Sequence, residues 1–416
     1  MKKLFTIAFL FISISIFSQE TINAMFYNVF KFPTSLPQNR QFILRDILDE
    51  YQPDLFMICE LVSENGADLI LNTSLQNQVD TFARANFVAD TSNTSDPLQT
   101  MVFYNTRKLT LISQKTLPTV YRDINRYSFQ LNVDSQNPIY LEVFVAHLKS
   151  STGTANQQTR LQMVQEVTNE LKLLTNPDTF VLFAGDFNFY RATEPGYQEI
   201  LNPNNAIVLV DPANAPGSWQ NNAALSHLHT QSTRVSNSGF GGGTNSGASG
   251  GLDDRFDFIM MSENFTNSTR FSYVNGSYQA YGNNGNCLNQ SVNDVGCTGV
   301  FSQTLRDNLY NMSDHLPVVM QFQINEPLAV KSFETNPLMW FESSNISNKE
   351  VVVGVDVSNI NAKNNQLLVY NSLGQLVKTV GINDRQSVVI STENLSSGLY
   401  FIKMNQNNGV LKFIKK

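Results

Sequence analysis

The chain has 416 residues, of which 42% are hydrophobic and 15% are charged, and its net charge is −7. This length exceeds that of one average domain and predicts a large domain together with a smaller one. The acidic balance argues against a basic groove spread over the whole surface that binds nucleic acid without regard to sequence. It is compatible with a local phosphate site whose positive charge comes from a metal ion.

The first residues have the pattern of an export signal. Two lysines precede an apolar stretch from Leu4 to Phe17, and Ser18 and Gln19 follow it. We therefore predict a signal peptide over residues 1–18 and a mature protein that crosses the periplasm to the cell surface or the medium. The apolar run is short for a membrane-spanning helix of about 20 residues, and no later stretch predicts a stable span.

Three cysteines fit an oxidising compartment. Cys287 and Cys297 bracket the polar loop CLNQSVNDVGC, and we predict a disulfide between them. Cys59 lies inside the apolar run DLFMICE and is expected to be a buried thiol. The sequence has no CxxC pair and no Cys/His cluster of the kind that binds zinc.

Strand-like and helix-like segments alternate from Thr21 onward. INAMFYNV is rich in β-forming residues, and the apolar stripe of PQNRQFILRDILDEYQP predicts a helix that stops at Pro53. DLFMICE predicts a buried strand, and TMVFYNTRKLTLIS, YSFQLNV and IYLEVFVAHLKS predict further strands. A helix is predicted over residues 154–175, and strands are predicted at TFVLFAGDFN, RFDFIMMS and HLPVVMQFQI.

These segments predict an α/β fold with two packed mixed sheets rather than a doubly wound parallel sheet. Strands outnumber helices, and several adjacent strands have no helix between them, so helices are expected on the outside of the sheets. The stretch SNSGFGGGTNSGASGG, residues 236–251, lacks the GK[ST] ending of a phosphate-binding loop. We interpret it as a mobile surface loop.

A change in composition over residues 326–337 predicts a linker after a catalytic domain at residues 20–325. Residues 338–416 contain short strand-like runs with Asn/Gly turns and almost no helical periodicity, which predicts a small all-β sandwich. This part contains no His and no Cys. We therefore assign the chemistry to the first domain.

Polar side chains interrupt or end the predicted strands of that domain at six places. A single carboxylate or imidazole at a strand end is common as a solvated cap. Six such places together favour one site, at a rim where strand ends from distant sequence converge. The residues are Asn28, Glu60, His147, Asp186 with Asn188, Asp257, and Asp314 with His315.

The ligand types in this set are hard, because carboxylate and amide oxygens occur without thiolate. They favour Mg²⁺, Mn²⁺ or Ca²⁺ over zinc. Such a cation, water-orienting polar residues and imidazoles with carboxylate partners suit hydrolysis of a phosphate ester. A serine triad is the competing class, but no GxSxG turn is present. His227 and His229 have the spacing of two ligands on one strand face, without a third ligand nearby.

The motifs YNV, CE, AHLKS, GDFN, DRFDFIM and SDHLPV occur in this order over residues 21–324. Together they resemble the exonuclease–endonuclease–phosphatase superfamily. Its members include pancreatic-type deoxyribonucleases, abasic-site endonucleases, neutral sphingomyelinases and inositol-phosphate phosphatases. The resemblance implies a four-layer αββα sandwich with its site at one rim of the two sheets.

The resemblance also implies residue roles around the metal ion and the water. Glu60 would be the principal ligand of a Mg²⁺, Mn²⁺ or Ca²⁺ ion, with Asn28 and Asp314 nearby. Asp186 would orient or deprotonate the attacking water. Asn188 would hold that water or the scissile phosphate.

Further roles implied by the resemblance concern the phosphate. His315, paired with Asp257, would stabilise the pentacovalent state, and His147 would serve the leaving oxygen as general acid. Abasic-site endonucleases usually lack this second histidine, which favours the deoxyribonuclease and sphingomyelinase branches. Arg126 and Arg255 are candidate contacts to the substrate, with the looser match at Arg126.

The last residues, from about 330, resemble the type A sorting domain of type IX secretion substrates. LLVYNSLGQLVKTV, LSSGLYFIKM and LKFIKK carry this resemblance, which implies recognition by the type IX secretion machinery. The sequence therefore predicts an exported, monomeric, metal-dependent phosphodiesterase, with DNA or RNA as its substrate.

Two alternatives stay open at the level of sequence. A phospholipid or a small phosphate ester would suit the same fold, and Phe240, Tyr278 and Tyr281 are candidates for an exposed aromatic membrane contact. A binding or adhesion protein that has lost its chemistry would be expected to lack part of the polar set. A nuclease needs basic residues at the rim, and the candidates are Arg122, Arg126, Lys149, Arg160 and Arg255.

Overall fold

The computed structural model describes residues 20–75, 81–92, 95, 98–176, 179–241, 246–326, 328, 339–356, 366–382, 386–404 and 410–416. They divide into two compact units, one up to residue 329 and one from residue 330. The predicted signal peptide and most of the predicted linker lie outside the described residues. Within the described ranges, no helix is long and apolar enough to span a membrane.

Two mixed β-sheets form the centre of the first unit. The first sheet contains β1 (Glu20–Phe32), β2 (Leu55–Leu61), β3 (Phe82–Arg84), β4 (Gln99–Asn105), β11 (Phe271–Tyr273), β12 (Gln279–Ala280) and β13 (Val318–Ile324). Their order is β11–β13–β1–β2–β4–β3, and β12 also pairs with β13. β1 and β2 run parallel, and the other neighbours run antiparallel.

The second sheet contains β5 (Leu109–Leu117), β6 (Ile124–Leu131), β7 (Tyr140–His147), β8 (Thr179–Asp186), β9 (Leu209–Val210) and β10 (Asp257–Ser262). Their order is β5–β6–β7–β8–β10–β9, and the pair β7–β8 is parallel. The run TMVFYNTRKLTLIS, expected to form strand, divides between β4 and β5, which belong to different sheets. The chain therefore crosses from one sheet to the other within this run.

Helices complete the layers. They are α1 (Arg40–Tyr51), α2 (Glu64–Leu69), α3 (Thr154–Leu171), α4 (Pro195–Ile200) and α5 (Gln303–Met312). α1 packs against α5, and α3 packs against α4. α1 ends shortly before Pro53, as predicted, whereas α5 was not predicted from the sequence. The side chain of Ser302 caps α5 by accepting a hydrogen bond from the backbone N–H of Leu305.

The alternation of side chains along β7 shows how the layers pack. Leu141, Val143 and Val145 belong to the core between the two sheets. Phe144 and Ala146 point the other way, into a second core that includes residues of α3 and α4. A strand buried on both faces in this manner has the near-continuous apolar sequence seen here. The predicted four-layer αββα sandwich is confirmed.

The second unit is all-β. Its strands are β14 (Met339–Phe341), β15 (Ile346–Ser347), β16 (Glu350–Val355), β17 (Gln366–Asn371), β18 (Leu376–Gly381), β19 (Ser387–Ser391), β20 (Gly398–Met404) and β21 (Val410–Lys415). They form a sheet β14–β16–β19 and a sheet β15–β21–β20–β17–β18. Side chains of both sheets share one core, as expected for a small sandwich.

The cysteines have the predicted arrangement. Cys287 and Cys297 form a disulfide that closes a loop ahead of α5. Cys59 is a buried free thiol in β2, and burial raises its pKa well above the usual value. It is therefore unsuited to act as a nucleophile at neutral pH.

Gly185 allows β7 and β8 to approach each other beside the motif GDFN. A Cβ atom at residue 185 would overlap the carbonyl oxygen of Ala146 and would lie 2.6 Å from the ring of Phe187. We expect G185A to lower the free energy of unfolding by about 3 kcal/mol, measured by urea denaturation, because the strands must move apart. G239A is the matched control, since a Cβ there meets no atom within 4 Å. Equal stability of the two variants would contradict this account.

Candidate active site

Strand ends from both sheets meet at one cleft of about 360 Å³. Asn28 and Asp257 are fully buried and reach the residues of the cleft through hydrogen bonds. The structure therefore brings together all eight residues that the sequence singled out for chemistry and metal binding. Those that line the cleft are Glu60, His147, Asp186, Asn188, Asp314 and His315.

Three of these residues lie in one row across the second sheet. Asp186, at the end of β8, is directly opposite His147 on β7 and Asp257 on β10. Residues opposite each other on neighbouring strands point to the same face of the sheet. Because the apolar residues of the same alternation, such as Val145 and Ala184, face the first sheet, this row faces it too.

The first sheet supplies Asn28 and Glu60 at irregular strand ends. The pairing of β1 with β2 shifts register between Asn28 and Phe32, and that of β2 with β4 shifts between Ile58 and Leu61. Glu60 has φ 60°, a left-handed conformation that is uncommon for a residue other than glycine. Bulges of this kind redirect a side chain out of the regular alternation.

The amide of Asn28 joins the two sheets. Its Nδ2 donates to Glu60 Oε1 at 3.0 Å and to Asp186 Oδ2 at 3.1 Å. Its Oδ1 accepts the backbone N–H of Phe30 at 3.0 Å, which leaves the nitrogen to face the carboxylates. Asn28 therefore positions two carboxylates, whereas the resemblance implied that it lies among the metal ligands.

Asn188 and His147 complete the surroundings of Asp186. The Nδ2 of Asn188 donates to Asp186 Oδ1 at 2.7 Å. The Nε2 of His147 lies 3.4 Å from Asp186 Oδ2 and 4.0 Å from Glu60 Oε1. Glu60, His147 and Asp186 can each offer one ligand atom within 4.8 Å of the others, so they form a cluster that could bind a metal ion.

His315 is held by a buried carboxylate. Its Nδ1 lies 2.7 Å from Asp257 Oδ2, and the same oxygen accepts the hydroxyl hydrogen of Thr230 at 2.6 Å. Its Nε2 lies 2.5 Å from the side-chain amide of Gln231 and 3.7 Å from Asp186 Oδ2. Thr230 and Gln231 were not singled out from the sequence, because nothing in HTQST distinguishes them from ordinary loop residues.

The carboxylates of the cleft are costly to ionise in this environment. Burial, together with the charges of Asp257 and Glu60, raises the pKa of Asp186 to about 8, although His315 nearby lowers it. Burial and the charge of Asp314 raise the pKa of Glu60. Oxygen ligands and excess negative charge are what a hard divalent cation requires, so these residues fit such an ion.

The two histidines of the cleft have opposite charge states. Burial alone would lower the pKa of His315, but the carboxylates of Asp257 and Asp186 outweigh it and raise the pKa well above its usual value. Burial and the charge of Arg122 lower the pKa of His147 well below its usual value. His315 is therefore an imidazolium and His147 is neutral. A role for His147 as general acid first requires that it take up a proton.

Asp314 contacts the glycine-rich stretch. Its Oδ2 accepts the backbone N–H of Ala248 at 2.6 Å, and its buried Oδ1 has no hydrogen-bond partner among the described residues. Gly247 and Ala248 line the cleft. The prediction of a plain surface loop is therefore wrong for this part of residues 236–251.

Arg126 does not reach the cleft, which corrects its predicted contact with the substrate. Its Nε pairs with Glu142 and its Nη1 with Glu170, both at 2.7 Å, on the face of the second sheet that packs against α3. Arg122, four residues earlier, lines the cleft instead, and its buried Nε and Nη1 have no hydrogen-bond partner in the described chain. The alternation of YSFQL could have revealed this, because Arg126 faces away from Tyr127.

Arg255 is also a structural residue rather than a substrate contact. It is fully buried, and its Nη1 and Nη2 bind the carboxylate of Asp211 at 2.8 Å each. Its Nη2 also contacts Tyr278 Oη at 3.0 Å. Arg160, another predicted rim residue, is buried and pairs with Glu194 at 2.7 Å.

Other predicted features are not at the cleft. Phe240 and Tyr281 are buried, so they cannot form an exposed aromatic membrane contact. His229 is buried with its Nε2 at 2.8 Å from the carbonyl oxygen of Trp219, whereas His227 is exposed in the 3₁₀ turn Ala223–Leu228. The two histidines belong to no cluster of His, Cys, Asp and Glu among the described residues that could hold a metal.

Arg40 is a further residue that the sequence did not reveal. Its fully buried guanidinium donates to the carbonyl oxygens of Val29, Phe30 and Ser35, and of Met312 at the end of α5. Arg40 thereby ties the irregular end of β1 to the segment that carries Asp314 and His315. Its place on the buried side of α1 gave no signal, because the helix pattern treats arginine as a surface residue.

Comparisons with known proteins bear on the two units differently. Residues 345–416 match the family model described as a secretion system C-terminal sorting domain. The predicted sorting domain is confirmed. No curated protein sequence matches the chain.

Several solved structures resemble the first unit. D. rerio TDP2 complexed with a single-strand DNA product has 18% identity and a TM-score of 0.45, over 73% of this chain and 98% of that chain. An endonuclease/exonuclease/phosphatase family protein from Bacteroides thetaiotaomicron has 13% identity and a TM-score of 0.44, over 74% and 99%. A mannosyl-6-phosphatase of the same organism has 13% identity and a TM-score of 0.44, over 72% and 99%. Likeness at this level assigns neither an activity nor a substrate to this chain.

Thr230 provides a test of the Asp257–His315 pair. We expect T230V to lower kcat on bis(p-nitrophenyl) phosphate by roughly tenfold to a hundredfold, because the carboxyl group of Asp257 loses one of its donors. KM should change little. T230S keeps the hydroxyl and should retain kcat within about threefold of the wild type. A T230V enzyme as active as T230S would contradict a positioning role for this hydroxyl.

Arg255 and Asp211 provide a test that depends on pH. Burial would raise the pKa of Asp211, but the charge and hydrogen bonds of Arg255 outweigh it and lower the pKa. The pair therefore stabilises the fold above the unfolded pKa of about 3.9, and this stability is lost as the pH falls through the lower folded pKa. R255M leaves the carboxylate buried and unpaired, and we expect it to cost about 3–5 kcal/mol at pH 7.

The loss in R255M should shrink at pH 3.5, where protonation removes the unpaired charge. Urea denaturation at the two pH values measures this difference. R45M is the control, because Arg45 forms an exposed pair with Asp46 and should contribute little at either pH. A loss in R255M that is as large at pH 3.5 as at pH 7 would contradict the assignment.

Proposed function

We propose that this protein is an exported phosphodiesterase that depends on a divalent metal ion and hydrolyses extracellular DNA or RNA. One observation carries the proposal. Two buried carboxylates from different sheets, Glu60 and Asp186, share the amide of Asn28 and have His147 within 4.0 Å. Acids that are kept together away from water, at a cost in free energy, are typical of a catalytic metal site.

Glu60 and Asp186 would hold the ion, and the hard oxygen donors favour Mg²⁺, Mn²⁺ or Ca²⁺. When bound, such an ion offsets the negative charge that develops on the phosphoryl oxygens. Asp314, which the resemblance implied as a ligand, has one oxygen on Ala248 and one without a hydrogen-bond partner in the described chain. Its free oxygen remains a candidate ligand.

The other residues act on the phosphate and the water. His315 is held as an imidazolium by Asp257 and lines the cleft beside Gln231. Its Nε2 would act as a charged donor to a phosphoryl oxygen that displaces the contact with Gln231. Arg122 offers a second positive group, whose Nε and Nη1 have no partner among the described residues. Asp186 and Asn188, which are already joined by a hydrogen bond, would together orient the attacking water.

His147 is placed to move the proton that the water loses. It is neutral and lies 3.4 Å from Asp186, so it would relay a proton from this carboxyl group as the leaving oxygen becomes the stronger base. The resulting imidazolium can then protonate the leaving oxygen, which restores the neutral histidine. The low pKa of His147 fits this role as general acid, because an imidazolium with a low pKa gives up its proton readily.

Charge at the edge of the cleft favours nucleic acid as the substrate. The guanidinium of Arg122 and the Nζ of Lys149 lie 4.7 Å and 5.0 Å from the ring centroid of Tyr121. Two cations on one aromatic ring suit a substrate that carries several phosphates. Two of the three aromatic candidates for a membrane contact, Phe240 and Tyr281, are buried, which leaves less support for a phospholipid.

The sorting domain supports the proposed location. The match over residues 345–416 indicates export by a secretion system, and the resemblance stated above points to type IX secretion. We propose that the signal peptide and this domain together take the catalytic unit, as a monomer, to the cell surface or beyond. A nuclease at that location would act on nucleic acid outside the cell.

The decisive experiment is a substrate panel with the purified protein. Supercoiled plasmid DNA, RNA, sphingomyelin and bis(p-nitrophenyl) phosphate are each offered with Mg²⁺, Mn²⁺ or Ca²⁺. We expect cleavage of DNA or RNA that EDTA abolishes and added metal restores. Activity that persists in EDTA would contradict a metal-dependent mechanism, and cleavage of sphingomyelin alone would overturn the assignment of substrate.

Variants test the residues in the same assays. D186N and H315N should each lower kcat by roughly a hundredfold or more, because they remove a proton acceptor and a charged donor. H227N is the matched control, since His227 is exposed and does not line the cleft. Wild-type activity in H315N would remove the mechanism proposed here.

A further inference from the structure

The end of the glycine-rich stretch is docked on Asp314. The N–H of Ala248 donates to Asp314 Oδ2 at 2.6 Å. Gly247 has φ 79°, and a Cβ atom there would lie 2.9 Å from the Cβ, Cγ and Oδ2 of Asp314. A side chain at residue 247 is therefore excluded twice, by the left-handed backbone and by the carboxylate.

Most backbone polar groups of these two residues already have hydrogen-bond partners within the protein. Asn237 Nδ2 donates to the carbonyl oxygen of Gly247 at 3.0 Å, and Ser232 Oγ donates to that of Ala248 at 2.9 Å. With the N–H of Ala248 on Asp314, three polar groups of the pair have partners within the protein. Gly247 and Ala248, which we call the glycine wall, therefore offer the cleft mainly carbon and hydrogen.

A buried arginine supports the glycine wall from behind. The guanidinium of Arg234 lies 3.7 Å from the ring centroid of Phe240 and 5.7 Å from that of Tyr310. Its Nε donates to the carbonyl oxygen of Tyr310 at 2.9 Å, and its Nη1 donates to that of Ser246 at 3.3 Å. Stacking and hydrogen bonds at one site fix the residue that precedes the glycine wall.

The lining of the cleft is thus divided by charge. Arg122, His315 and the carboxylates form a charged part. The glycine wall belongs to an uncharged part that also includes Phe30, Leu98, Tyr190 and Phe256. The volume of about 360 Å³ is at the small end of ligand sites, so each group that lines the cleft limits what can enter. A phosphodiester has the same division, with a charged phosphoryl group and a less polar group esterified to it.

We propose that the glycine wall is the specificity-determining surface of this site and that Asp314 is the positioning residue that holds it. The phosphoryl group faces the charged part of the lining, and the bulky esterified group, a nucleoside in the proposed function, packs along the glycine wall. Because the wall offers shape and not hydrogen bonds, it selects for size without reading the base. This inference rests on the proposed function and extends it.

The variant A248L tests the wall, because a larger side chain enters the cleft while the N–H that binds Asp314 is kept. We expect kcat/KM for a single-stranded oligonucleotide to fall roughly tenfold or more, chiefly through KM. For methyl p-nitrophenyl phosphate, whose second ester group is small, the change should stay within about threefold. S249L is the matched control, since Ser249 is exposed and outside the cleft lining.

Equal losses on both substrates, or equal effects of A248L and S249L, would overturn the proposal that the wall selects for size. If the wild type hydrolyses neither diester, the proposed function has failed. The docking of the wall on Asp314 is then decided by a second pair of variants that need no activity.

G247A and G250A both place alanine at a positive φ, 79° and 125°, but only residue 247 meets Asp314, since a Cβ at residue 250 has nothing within 4 Å. The backbone strain in G250A is at least as large, because 125° lies further from the left-handed minimum near 57°. We expect G247A to have the lower thermal midpoint and an amide at residue 248 that exchanges with solvent roughly tenfold faster than in the wild type. Equal midpoints, with unchanged exchange at residue 248, would overturn the docking.

Discussion

The site depends on one side-chain amide that holds two acids together. Asn28 donates one hydrogen to Glu60 and the other to Asp186, and these carboxylates come from different sheets. The Oδ1 of Asn28 accepts the N–H of Phe30, and this orientation directs the Nδ2 toward both carboxylates. Without this bridge, two buried and mutually repelling carboxylates would be driven apart or protonated. Asn28 therefore both links the two sheets and sets the positions of the carboxylates in the cleft.

The cost of this arrangement explains much of the surrounding structure. Burial and the neighbouring acids raise the pKa of Asp186 to about 8, and the same carboxylates raise that of His315. A fold selected for stability alone would avoid such a cluster, whereas a site that binds a cation and a phosphate requires it. Arg40 and Arg234 stabilise the two segments on either side by donating to backbone carbonyl oxygens. The charged residues of the cleft thus lie between segments that buried arginines hold in place through hydrogen bonds.

The sequence predicted the architecture well where a local pattern of apolar residues is compatible with a single secondary structure. Buried strands such as VLFAGD have no polar interruption until their last residue, which located both the strand and Asp186. The prediction of a substrate contact failed where two arginines close together in the chain were both candidates for it. Arg126 and Arg122 were both candidates for the rim of the site, but strand alternation turns Arg126 toward Glu142 and Glu170. The structure decides between them, because Arg126 pairs with Glu170 of α3 whereas Arg122, which precedes β6, lines the cleft.

The sequence by itself determined the kinds of element that are present. These are layered sheets, an all-β sorting domain and eight polar residues at strand ends. These follow from local periodicity and from motifs whose residues are near each other in the chain. Only the tertiary structure decided that Asn28 bridges Glu60 and Asp186, that Arg255 is bound to Asp211, and that Gly247 lies against Asp314. Each of these contacts joins residues at least 32 positions apart. No local pattern in the sequence encodes the distant hydrogen-bond partner of a buried polar group, because that partner depends on how the two sheets pack together.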